Sequence, residues 1–144
     1  MKRKRNYGTV FVLTLCFIWG NSMIGAEVSG AISHFIADIL GGEGGSTAEG
    51  HFLLRKAAHF SEYAALGVTT LLFYGTLTAD RARKYLSAAL TGISVPLVDE
   101  TIQVFSGRGP TISDIWIDIS GFVFGTALIS LILYILLRRG ERRK

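Results

Sequence analysis

The chain has 144 residues, 49% of them apolar and only 18% charged, with mean hydropathy +0.40. That balance excludes a disordered segment, a collagen-like repeat and a disulfide-stapled mini-protein, and the lone Cys16 excludes an internal disulfide. The net charge of +4 and pI near 9.5 invite a nucleic-acid reading, but the basic residues sit in blocks at the ends of apolar stretches, as in a membrane protein.

In chain order, the first apolar stretch runs uncharged from Asn6 to Ala26, 21 residues, enough to cross a hydrocarbon layer of roughly 30 Å. Its basic flank resembles that of a signal peptide. The apolar character continues past Trp19, however, and no small-x-small cleavage site follows, so a retained anchor is expected. The segment from Glu27 to Gly50 repeats Val28, Ile32, Phe35, Ile36, Ile39 and Leu40 at helical spacing, which predicts a short amphipathic outer-loop helix ended by Gly41, Gly42, Gly44 and Gly45. His34 and His51 are read as surface loop residues.

Three further stretches follow. There are 17 uncharged residues between Glu62 and Asp80, 14 between Lys84 and Asp99, and 19 from Asp118 to Leu137. At a rise of 1.5 Å per residue, 14 residues cover only about 21 Å. The third span therefore has to continue through Asp99 and Glu100 to about Val104. The fold class expected is all-α, an integral membrane bundle of four transmembrane helices at about 7–26, 57–79, 85–105 and 114–137. The membrane domain is then 7–137, with basic tails at 1–6 and 138–144. Lys2 to Arg5, a loop carrying Arg81, Arg83 and Lys84, and the tail from Arg138 place 12 of the 15 basic residues on one side. By the positive-inside rule both termini are cytoplasmic.

This orientation collects the polar residues at the outer ends of the helices. Arg55, His59 and Glu62 share one face at steps of four and three. Gly92, Pro96, Asp99 and Gln103 form a second stripe, and Asp114, Asp118, Gly121 and Gly125 a third, whose Gly-x-x-x-Gly pair signals close helix contact. Asp99 lies about 9 Å below the outer surface by the helix rise. A carboxylate at bilayer depth costs about 2.5–3.5 kcal/mol, so Asp99 and Glu100 need partners, with Arg55, Lys56 and Arg108 as candidates. Pro96 predicts a kink or break in the third helix, and Thr111 with Asp114 resembles a capping box. Three cations face five carboxylates (Glu62, Asp99, Glu100, Asp114, Asp118), a net −2 that does not suit a simple phosphate cradle. Three readings of the cluster stand open: a structural ion-pair network, a ligand or lipid head-group site, and a metal or acid–base site on His59 with carboxylates.

The run Lys56-Ala-Ala-His59-Phe60-x-Glu62-Tyr63-x-x-Leu66-Gly67 resembles the first motif of the VanZ-like family. Asp99-Glu100-x-x-Gln103-x-Phe105-x-Gly107-Arg108 followed by Asp114-x-x-x-Asp118-x-x-Gly121 resembles its second. The resemblance implies a bacterial, multi-pass cell-envelope protein, and the family's namesake is associated with resistance to the glycopeptide teicoplanin. The function expected is binding of a lipid-linked or amphipathic ligand at the outer face, by a site that the second, third and fourth helices build from Lys56, His59, Glu62, Asp99, Glu100, Gln103, Arg108, Asp114 and Asp118. No metal or cofactor is assigned. The expected partners are membrane lipids and a lipid-linked cell-wall precursor or lipoglycopeptide, not nucleic acid. The alternative is a membrane enzyme acting on a lipid-linked cell-wall intermediate, with His59 and Glu62 as acid–base pair or metal ligands.

Overall fold

The computed structural model describes residues 2–25, 28, 30–32, 35, 36, 39, 48–107 and 111–141, without the side chains of 2–5, 48, 49 and 51. Among these residues the chain is all-helical, with four long helices: α1 (Lys2–Met23), α2 (Ala48–Leu77), α3 (Arg81–Phe105) and α4 (Ile112–Glu141). Shared contacts fix their directions. Phe11 stacks on Phe73 and Asn21 reaches Glu62, so α1 and α2 are antiparallel. Tyr74 meets Thr91 and Tyr85 meets Ser130, each at 3.2 Å, so α3 runs against both α2 and α4. α1 and α3 therefore end where α2 and α4 begin.

α2 and α4 make the closest approach. A Cβ at Gly121 would overlap the Phe60 carbonyl, one at Gly125 the Ala64 carbonyl, and one at Gly67 the Phe122 carbonyl. Only glycine permits that backbone-to-backbone contact, which is how small residues join helices where lipid supplies no hydrophobic drive. Gly92 on α3 receives the Phe122 ring in the same way. The apolar core is small, comprising Ile18, Tyr63, Leu66, Leu71, Ala88, Val95 and Phe122.

The turn between α2 and α3 is short. Asp80 caps α3 by accepting from the Ala82 amide at 2.9 Å, and its own amide donates to Thr78 Oγ1 at 3.1 Å. Arg81, Arg83 and Lys84, placed in a loop by the sequence reading, thus lie in the first turn of α3. The Asp80 side chain satisfies an orphan amide there and offsets cations at the positive end of the helix dipole. α3 reaches Phe105, the length the short uncharged run required, and Gly107 closes it with φ of 72°. It is continuous through Pro96, so of the kink or break expected there the break does not occur.

α2 starts at Ala48, nine residues before the expected boundary, which puts the His51 backbone in a helix and not a loop. Apolarity marked only the later turns, because Arg55 and Lys56 interrupt it. Helical backbone also occurs at 28, 30–32, 35, 36 and 39, where Val28, Ile32, Phe35, Ile36 and Ile39 are all exposed. Leu40, the glycine link 41–45 and His34 lie outside the described residues.

The distribution of side chains is inverted relative to a water-soluble bundle. Large apolar residues such as Leu13, Phe17, Leu53, Leu86, Leu97, Phe105, Trp116 and Leu137 are half or more exposed, whereas Asp99 and Asp118 are fully buried. One described helix, α4, is by length and hydropathy (2.2) able to cross a membrane.

Candidate functional site

Polar side chains from all four helices converge at the end of the bundle where α1 and α3 finish. Asp114 opens α4 and is nearly buried. Lys56 Nζ donates to its Oδ1 at 2.6 Å, and Arg55 Nη2 lies 3.5 Å from its Oδ2. The spacing of Arg55 and Lys56 on α2, one turn before His59, and the parallel course of α2 and α4 put both cations on this one acid. The sequence reading had offered Arg55 and Lys56 as partners for Asp99 and Glu100. Depth explains the difference: Asp114 lies in the first turn of α4, level with Lys56 across the glycine contact. Arg108, the third candidate cation, lies outside the described residues. Thr111 precedes α4, and its carbonyl accepts from the Asp114 amide at 2.9 Å, while the Asp114 carboxylate goes to Lys56.

One turn deeper, His59 Nδ1 lies 3.4 Å from Asp118 Oδ1. Among the described residues neither atom makes a directed hydrogen bond, and Asp118 Oδ2 has no partner either. Asp99, on α3, is held by two donors: Ser22 Oγ from α1 on Oδ1, and Gln103 Nε2 from its own helix on Oδ2 at 3.1 Å. One ligating atom each from His59, Asp99 and Asp118 lies within 4.8 Å of the others. Imidazole nitrogen with two carboxylate oxygens is a donor set suited to a divalent first-row metal.

Glu62 shares a helix with His59 but engages α1, accepting from Asn21 Nδ2 at 2.9 Å. The carboxylate nearest His59 Nδ1 is thus Asp118, not the Glu62 of the expected acid–base pair. Glu100 is buried, and among the described residues neither of its oxygens has a hydrogen-bond partner. It stands in the wall of an open groove of about 450 Å3 between α3 and α4, otherwise bordered mainly by Leu97, Val104, Phe105, Ile112 and Ile115.

A family model described as VanZ/LLP1 matches residues 8–135, nearly the whole chain and all of the polar end. The chain belongs to the VanZ/LLP1 family. No curated protein and no solved structure matches it. Both motifs that carried the resemblance to the VanZ family, the Lys56 run on α2 and the Asp99 and Asp114 runs on α3 and α4, meet at this end of the bundle.

Sequence reasoning left α1 out of the cluster. In this VanZ/LLP1 chain α1 contributes Asn21 to Glu62, Ser22 to Asp99, and the Ser22 carbonyl to Ser106 Oγ at 2.9 Å. The available signal was the Asn-Ser pair closing an otherwise apolar helix at the same depth as the other polar groups.

Proposed function

We propose that this VanZ-family chain is a four-span envelope protein with both termini in the cytoplasm. It binds a lipid-linked or amphipathic ligand at its outer face and thereby lowers susceptibility to lipid-tailed glycopeptides of the teicoplanin type. The observation that carries the reading is the groove beside Glu100. Its apolar walls suit an acyl chain, its volume falls within the range of small-molecule sites, and its acid, Glu100, has no partner among the described residues and so can meet an amine or hydroxyl of the head-group. Four spans are supported by helix lengths of 22, 30, 25 and 30 residues, about 33–45 Å each, and by apolar side chains exposed on all four helices. The orientation is supported by the cluster of basic residues at the other end.

The test is Glu100→Ala and Leu97→Trp, one removing the acid and the other filling the groove. Teicoplanin susceptibility, membrane abundance and saturable binding of a fluorescent teicoplanin to the purified protein are read together. Both variants are expected to lose at least about tenfold in affinity, the equivalent of one charged contact, and to lose protection at normal abundance. Unchanged binding and protection at normal abundance would reject the reading.

The second reading, a membrane enzyme acting on a lipid-linked cell-wall intermediate, is favoured by one observation: His59 faces a buried carboxylate, Asp118. An imidazole beside a carboxylate is a common general base. That reading predicts product formation by the purified protein, lost in His59→Gln.

A further inference from the structure

The buried core of the polar end carries more negative than positive charge. Asp99 and Asp118 are both fully buried and His59 is 5% exposed. Among the described residues the cations nearby, Lys56 and Arg55, are committed to Asp114. Two carboxylates this close repel each other in a low dielectric unless a positive partner sits between them.

We infer that His59, Asp99 and Asp118 form a binding site for a divalent first-row metal ion of the Zn2+ or Mn2+ type. Four observations converge on it. First, the three donors come from three helices yet fall within 4.8 Å of one another. Second, the 3.4 Å between His59 Nδ1 and Asp118 Oδ1 is about the ligand-to-ligand edge of a tetrahedral site with bonds of roughly 2.1 Å. Third, among the described residues His59 Nδ1 and Asp118 Oδ1 have only each other, at 3.4 Å and without a directed hydrogen bond, and the fully buried Asp118 Oδ2 has no partner, which is costly for a carboxylate oxygen with no other purpose. Fourth, Asp99 is held by Ser22 and Gln103, one donor on each oxygen, which leaves each oxygen a lone pair and fixes the carboxylate as outer partners fix metal ligands.

The mixed nitrogen and oxygen set argues against Mg2+ and Ca2+, which favour all-oxygen cages. Three protein ligands leave at least one coordination position for water or for an oxygen of a bound molecule. Resting on the amphipathic-ligand reading, that position would accept a phosphate or carboxylate of the head-group, which the net negative cluster alone would repel.

The experiment measures metal in the full chain, purified in mild detergent without chelators and with no glycopeptide or cell-wall lipid added. Its result is therefore independent of whether teicoplanin or a cell-wall precursor binds. Elemental analysis is expected to find one equivalent of a first-row metal per chain. Where the preparation has lost its metal, titration with Zn2+ and then Mn2+ restores one equivalent and raises the unfolding temperature, reversibly with EDTA. Asp118→Asn and His59→Gln are expected to lose the bound equivalent. Gln103→Leu, which removes only a support of Asp99, is expected to weaken affinity by about 10–100-fold, and Glu62→Gln is expected to retain the metal. Should the ligand variants fail to fold, the wild type and Gln103→Leu decide the matter. Less than a tenth of an equivalent in the wild type after titration with both ions, or equal Zn2+ affinity in Gln103→Leu, would overturn the inference.

Discussion

Replacing Lys56 by alanine separates a structural role of the polar end from a ligand-binding one. Lys56 Nζ sits 2.6 Å from Asp114 Oδ1, with side chains 18% and 3% exposed, respectively. Removing one member of a fully buried pair costs about 3–5 kcal/mol, because the remaining charge is left without compensation. Two features of this pair lower that figure. Lys56 is partly solvated, and Arg55 Nη2 stays 3.5 Å from the other Asp114 oxygen. We therefore expect Lys56→Ala to destabilise the protein by about 2 kcal/mol. Arg55→Ala, a longer contact from a side chain 39% exposed, should cost under about 1 kcal/mol. The two together should approach the full buried-pair value. The assay is reversible unfolding in mixed micelles, run as a double-mutant cycle with Asp114→Asn. In that background the cost of Lys56→Ala should fall to about 0.5 kcal/mol or less. An undiminished cost would refute the pairing, and a Lys56→Ala protein of normal stability that has lost binding of the fluorescent glycopeptide would return Lys56 to the ligand.

Two further outcomes are expected. Gly125→Ala should destabilise by about 1–3 kcal/mol, since the new methyl meets the Ala64 carbonyl, which belongs to a backbone and cannot swing aside; Gly140→Ala, in open space on the same helix, should be neutral or slightly stabilising in the same unfolding assay. In a Cys16→Ser background, a cysteine at the exposed Ile112 should react with an impermeant thiol reagent on intact cells, and one at the exposed Ala79 only after permeabilisation; the opposite pattern would reverse the proposed orientation.

Much of the arrangement was legible because helical spacing fixes faces before any partner is known. The steps of four, three and four through Asp114, Asp118, Gly121 and Gly125 describe one side of a helix, and all four residues are buried on the side that meets α2. Gly92, Pro96, Asp99 and Gln103 follow the same logic on α3. The short third uncharged run demanded a helix reaching past Glu100, and α3 ends at Phe105. Pairing across helices was not legible. Whether Lys56 meets Asp114 or Asp99 depends on the relative height of α2, α3 and α4, which the glycine contacts set and spacing within one helix does not report. Asn21 and Ser22 were passed over for a related reason: small uncharged polar residues near a helix end look alike whether they face lipid head-groups or a buried carboxylate. The start of α2 was missed because its first turns carry Glu49 and His51 and lack the apolar signal by which the span was recognised.

The same contacts that hold the bundle also determine what its polar end can accept. On the four-span reading proposed above, lipid surrounds the helices, burial of apolar surface contributes little to their association, and glycine packing and buried polar contacts carry it. Here the glycines join α2 to α4, Lys56 and Arg55 join the same pair through Asp114, and Ser22 with Ser106 joins α1 to α3. Using Lys56 and Arg55 as fasteners leaves, among the described residues, Glu62, Asp99, Glu100 and Asp118 with one imidazole, His59, as their basic neighbour. Such a cluster favours positive charge. A cationic or hydroxyl-bearing head-group could meet Glu100 directly, whereas an anionic one would require a bridging metal ion at His59, Asp99 and Asp118. Binding of a phosphate-bearing lipid should accordingly depend on metal, and binding of an amine-bearing amphiphile should survive EDTA; measuring both on one preparation tells which chemistry the polar end serves.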